Sequence, residues 1–274
     1  MLIICYNLST FTKEILMVNQ YLMKLFSFNI FLIFFTISAI ADNEVRIYKL
    51  GNFNCISSNG TPNHEIGKFP TKGNPNKFKV QKVNYCFPSD PIKKNIINNK
   101  ASTVGITLTG IPIRPGTADW YDASSPRLHS RDKSSGWNLE AITPKGTIFG
   151  IDNNNAHVDN KGLYHYHGMP KALQNFYGKT LIGYAADGHE IHYVGNNQSS
   201  SWVIKKGKRN TLPYGDYDGS YFQDYIFEDG HGTLDRCNGG ILNGKYVYFA
   251  TDKFPFFPRC HWGNVSKDFI RKGG

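Results

Sequence analysis

A mainly β fold is what this 274-residue chain predicts, as a single domain of short antiparallel strands joined by long loops. Three observations carry the expectation. Apolar residues rarely recur at the three- and four-residue spacing of an amphipathic helix. Glycine, proline, asparagine and aspartate interrupt the sequence every several residues, and the runs between them are aromatic or β-branched. Such short strands, closed off by turn residues, build sandwiches or distorted barrels. An α+β arrangement stays open, because Trp137–Ile142 and Pro170–Phe176 read as short helices.

The first 41 residues stand apart from this pattern. Residues 25–37 form an apolar run preceded by Lys24 and followed by Ala39-Ile40-Ala41, the layout of a secretory signal cleaved before Asp42. Met23 is the expected start, with 1–22 an upstream extension. The run is short for a membrane span. The mature chain is therefore expected to be secreted or periplasmic, with no transmembrane segment.

In the mature part, 42–274, strands are expected at Glu44–Leu50, Lys77–Phe87, Val104–Leu108, Thr147–Ile151, Leu163–His167, Ile191–Val194, Trp202–Lys205, Tyr221–Phe227 and Lys245–Thr251. Each is rich in residues that suit a pleated, half-buried surface. Asp187-Gly188 reads as a tight hairpin turn between Leu181 and His192. No stretch has the composition of a linker, so one domain is expected.

Cys55, Cys86, Cys237 and Cys260 remain once Cys5 leaves with the leader. An even number in an exported chain predicts two disulfides. Three connectivities are open, and proximity along the chain favours Cys55–Cys86 with Cys237–Cys260. The net charge of +10 becomes +9 without Lys13, Lys24 and Glu14, 29 basic residues against 20 acidic. These cations are scattered in small clusters such as Lys205 to Arg209, and no stripe, basic helix or zinc-finger spacing organises them. No specific nucleic-acid partner is predicted, only weak attraction to anionic surfaces.

The densest chemistry lies in Tyr164-His165-Tyr166-His167. On a strand, residues two apart share a face, so both imidazoles would project together and both phenol rings oppositely. A turn over Asp159-Asn160-Lys161-Gly162 would bring His157 beside that strand. Three histidines with open positions for water or substrate suit zinc or copper, and the spacing does not choose between them. Glu140, Asp152 and Asp187 are candidates for a fourth ligand or for holding an imidazole N–H. His189 and His192, spaced three apart, would face opposite ways, so at most one could join.

Two acidic stretches follow. Gly215 to Asp224 lacks the ligand spacing of an EF-hand, and its aspartates read as turn-builders. Asp229 to Gly239 holds His231 and Asp235, which with Asp187 are the candidates for acid–base work. No serine or free cysteine lies in a nucleophile elbow.

The order of motifs then becomes recognisable. Asn155-Ala-His157, the tetrad and Gly168-Met-Pro170 are followed by Leu181-Ile-Gly-Tyr-Ala-Ala-Asp-Gly188 and Tyr217-Asp-Gly-Ser-Tyr-Phe-Gln-Asp-Tyr225. Leu234-Asp-Arg-Cys-Asn-Gly239 and Thr251-Asp-Lys-Phe-Pro-Phe-Phe-Pro-Arg-Cys260 close the set, and Asn63-His64 with Gly73-Asn-Pro-Asn76 opens it. Together they resemble the YHYH-domain family, named for the tetrad. The resemblance implies an exported domain over about 55–263 and assigns no activity. The residues themselves put metal binding first. A metal-dependent hydrolase acting on an extracytoplasmic substrate and a structural or recognition module are the alternatives.

Overall fold

The computed structural model describes residues 42–175 and 178–270, so the expected leader lies outside the described residues. The chain opens with an antiparallel sheet of β1 (Val45–Leu50), β2 (Phe53–Ser58) and β3 (Val83–Pro88). Cys55 and Cys86 face each other across β2 and β3 and are bonded. β4 (Gly105–Thr107) and β5 (Pro112–Ile113) then begin the principal sheet, while β6 (Gly116–Tyr121), β7 (His129–Ser130) and β8 (Asn138–Glu140) form a separate one. β9 (Ala156–Val158), β10 (Tyr164–Tyr166), β11 (Leu181–Ala185) and β12 (Glu190–His192) return to the principal sheet. Two ribbons follow: β13 (Trp202–Ile204) with β16 (Tyr225–Phe227), and β14 (Lys208–Arg209) with β15 (Gly215–Asp216). β17 (Gly239–Leu242) and β18 (Lys245–Phe249) complete the principal sheet, whose order is β17-β18-β12-β11-β4-β5-β10-β9.

The mainly β expectation holds. Among the described residues there is no α-helix, only short 3-10 turns, and no sheet closes into a barrel. No described helix is long and apolar enough to cross a membrane. The strands are not all antiparallel, however: β5 runs parallel to β10, and β12 to β18. Both disulfides take the pairing that chain proximity favoured, the second joining Cys237 to Cys260.

Five expected elements differ: of Pro170–Phe176 the described part holds only a 3-10 turn over Lys171–Leu173, Lys77–Phe87 is strand only from Val83, and three more depart further. Trp137–Ile142 is not helical, because β8 is pinned on one side by β6 and on the other by a bridge from Leu139 to Tyr221. Thr147–Ile151 forms no strand. Gly150 takes φ +61 there and packs so closely on the Thr71–Asn74 turn that a Cβ would come within 2.7 Å of Thr71 Oγ1. Of Tyr221–Phe227 only the last three residues are strand. Phe222–Asp224 make a 3-10 turn, capped by Tyr221 N–H donating to the Asp224 carboxylate.

The core sits on both faces of the principal sheet. One cluster gathers Ile111, Ile113, Tyr164, Tyr166, Ile191, Tyr248 and Phe257. A second packs Ile56, Phe87, Ile106, Leu163 and Phe269 between this sheet and the first one. Burying each such side chain contributes about 1.5–3 kcal/mol before the entropy of ordering is subtracted.

Candidate metal centre

The site begins with the hairpin of β9 and β10. Asp159 Oδ1 accepts from the backbone N–H groups of Lys161 and Leu163, and Gly162 at φ +91 closes the turn. That register sets His157 directly opposite His165. Asn155, at φ +57, ties the open end: its carbonyl accepts from His167 N–H at 2.7 Å, and its side-chain amide donates to Met169 O. Val158 O accepts from both Asn74 and Asn76, so the hairpin is held from its outer side too.

The three imidazoles converge on one point. His167 Nε2 lies 3.1 Å from His157 Nε2 and 3.1 Å from His165 Nε2. Each ring's other nitrogen faces a backbone carbonyl: Phe149 O for His157 at 2.8 Å, Leu163 O for His165 at 3.1 Å, and Pro115 O for His167 at a longer 3.4 Å. A carbonyl can only accept, so Nδ1 carries the proton in His157 and His165 and their Nε2 atoms present lone pairs; the longer Pro115 contact favours the same tautomer in His167. With Nδ1 protonated in all three rings, three acceptors point at one another with no donor between them. Ligand nitrogens 2.0–2.1 Å from a tetrahedral ion are about 3.3 Å apart, close to the spacing seen here. The residues present fit a metal ion, and among the described residues these three form the group that could hold one.

A shared proton is the competing occupant, and burial opposes it. Desolvation pushes His165 and His167 well below the ordinary imidazole range and lowers His157 as well. Neutral imidazoles in the folded state make the metal-free chain acid-sensitive. Its stability is full above the ordinary imidazole pKa of about 6.5 and is lost as pH falls below that, because the unfolded chain then takes up protons the folded chain refuses. From His165 and His167, metal-free protein should be about 2–3 kcal/mol less stable at pH 5.5 than at pH 7.5. Urea denaturation at the two pH values checks this, and a drop of equal size in the His165→Ala/His167→Ala variant would contradict the assignment.

The other face of the tetrad is polar at its tips. Tyr164 O–H donates to Asp152 Oδ2 at 2.7 Å, and Tyr166 OH meets His64 Nε2 at 2.7 Å. Asp152 also accepts from the N–H groups of Gly67, Asn154 and Ala156, so its carboxylate is spent on the tyrosine side. Glu140 does not join the imidazoles either; it is buried and paired with Arg259.

The remaining expected site residues lie elsewhere. Asp187 does not face the histidine cluster: it accepts from Tyr248 O–H at 2.8 Å and Gly263 N–H at 2.9 Å. Asp235 accepts from Tyr246 O–H, Trp262 Nε1–H and the N–H groups of Cys237 and Gly239, which fixes that loop. His231 is exposed and nearest Glu228, so it makes no acid–base pair with Asp235. Neither His189, held to Tyr246 O, nor His192, held to Glu190 and Thr180, joins the cluster.

The imidazoles open into a cleft of about 1370 Å³, walled by β6 and β7 and by loops around Phe149 and Phe222. Arg114 and Arg259 also line it. Sequence reasoning missed both, together with Asn155 and the carbonyls of Phe149 and Pro115. Asn155 carries a signal in the motif Asn155-Ala-His157, and each arginine directly precedes a recognisable fixed point, Pro115 or Cys260.

Among curated proteins and among solved structures, none matches the chain. A family model described as YHYH protein matches residues 84–263, which takes in the tetrad, His157 and the Cys237–Cys260 disulfide. With that match over most of its length, the chain belongs to the YHYH protein family.

Proposed function

We propose that this protein is exported and binds one transition-metal ion, zinc or copper, through His157, His165 and His167. The convergence of three Nε2 lone pairs, each fixed by a carbonyl behind the ring, carries the reading. Two disulfides and the apolar leader sequence support an oxidising compartment. The test is elemental analysis of the mature protein purified without chelator. About one zinc or copper per chain is expected, lost in His165→Ala/His167→Ala with the circular dichroism unchanged. A folded wild-type protein that takes up neither metal would overturn the proposal.

A hydrolase is the second reading, and one observation favours it: the cluster opens into a cleft rather than being sealed. Three protein ligands with an open position are the pattern of catalytic zinc, which lowers the pKa of bound water to about 7. Asp187 and His231 are not the proton-transfer groups under this reading, since neither lines the cleft. Turnover of an extracytoplasmic substrate that chelator abolishes and zinc restores is its test.

A further inference from the structure

The charge around the cluster is unusual for a cation site. All three ligands are neutral, and no carboxylate belongs to the group. Two arginines stand beside it instead. Arg114 directly follows β5, whose Ile113 pairs in parallel with Tyr166, and Arg114 N–H donates to Tyr166 O at 2.8 Å. Ile113 and Tyr166 point into the core, so alternation turns the Arg114 side chain to the histidine side. Pro115, the next residue, supplies the carbonyl that holds His167. Beyond it is Gly116, where an added Cβ would lie 3.4 Å from Arg259 Nη1. One tripeptide thus sets a cation, an imidazole anchor and a second cation around the same spot.

Both guanidiniums are braced from behind and keep donors to spare. Arg114 gives Nη1 to Asp159 at 2.9 Å and Nε to Thr103. Arg259 gives Nη2 to Glu140 and Nε to Pro255 O, and its side chain is only 8% exposed. Among the described residues, Arg114 Nη2 and Arg259 Nη1 have no hydrogen-bond partner. The cleft around them is basic, with Lys72, Arg127, Arg131 and Lys161 joining the two arginines against three aspartates. Asp159 and Glu140 balance the two arginines, so a divalent ion on three neutral ligands would keep its own charge uncompensated. An anion from outside would balance it, and fixed forks of N–H donors suit oxygen anions.

The geometry points to an oxyanion site: a phosphoryl group held between the metal's open position and the guanidinium N–H groups of Arg114 and Arg259. This rests on the metal reading above and assigns the cleft a phosphate or phosphomonoester ligand.

Cobalt-substituted protein tests it, because the visible spectrum of Co²⁺ responds to a change of ligand. After metal content is measured, inorganic phosphate and glycerol phosphate are titrated in separately. A saturable spectral change is expected with at least one, and the tighter of the two identifies the source. Arg114→Gln leaves only a part-exposed Asp159 unpaired, and Arg259→Lys keeps a cation for Glu140, so both should fold. Each should weaken binding about tenfold or more at unchanged cobalt content. Full cobalt loading with no response to either anion, or with unchanged affinity in both variants, would overturn the oxyanion site alone. Failure to load cobalt, zinc or copper would overturn the metal reading and this one with it.

Discussion

Zinc at a thousandfold excess over its dissociation constant is expected to raise the melting temperature by roughly 8–16 °C, and His167→Ala should abolish the rise. The size follows from linkage. An ion that binds only the folded chain stabilises it by about 4.1 kcal/mol at that concentration. A protein of this length gains about 2–4 °C per kcal/mol. Selectivity for the folded state is built in, because His157 and the tetrad histidines meet only when β9 and β10 pair. His167 is the decisive residue, since its Nε2 lies within 3.1 Å of each of the other two. Differential scanning calorimetry with and without metal is the measurement. An equal rise in wild type and variant would place the ion elsewhere and sink the assignment.

Arg209→Ala should cost about 3–5 kcal/mol, with no metal involved. The Arg209 side chain is 4% exposed and that of Asp224 0%. They are joined twice, Nε to Oδ1 at 2.7 Å and Nη2 to Oδ2 at 2.6 Å, and Nη2 also reaches Asp218 at 2.6 Å. The guanidinium lies over the rings of Tyr221 and Trp137 as well. Truncation would strand a buried carboxylate, which is far costlier than losing the pair's modest net attraction. Removing Asp224 too should recover part of the loss, since the two residues act as one unit. Urea denaturation decides, and a loss under about 1 kcal/mol for the single variant would refute the account.

How far the sequence reached can be seen residue by residue. Strand alternation placed His165 and His167 together, and the Asp-Asn-Lys-Gly turn brought His157 opposite them; both are local rules acting within a dozen residues. Cys55 and Cys86 were paired correctly for a similar reason, since nearness along the chain favours closing the shorter loop. Asp187 defeated the same logic. Its tight turn was legible, but its partners are Tyr248 and Gly263, some 60 and 76 residues onward, and no local pattern announces them. Arg259 shows the same limit: it reaches the cluster from 92 residues beyond His167, past four further strands of the principal sheet, β11, β12, β17 and β18. β9 and β5 escaped notice because strands of two or three residues carry too little alternation to register.

The outward bonds of the hairpin have a last consequence. The segment that marks the family begins at residue 84, yet the hairpin bearing all three histidines leans on what comes earlier. Asn74 and Asn76 clasp Val158, His64 clasps Tyr166, Gly67 binds the aspartate that holds Tyr164, and Cys55 is sewn to Cys86. At the far end, Asp268 accepts from Cys86 N–H, and Ser102 and Thr103 donate to Phe269 O. The length by which kinship is recognised and the length that must fold together are therefore different, and the second is the longer by β1, β2 and the loop after them.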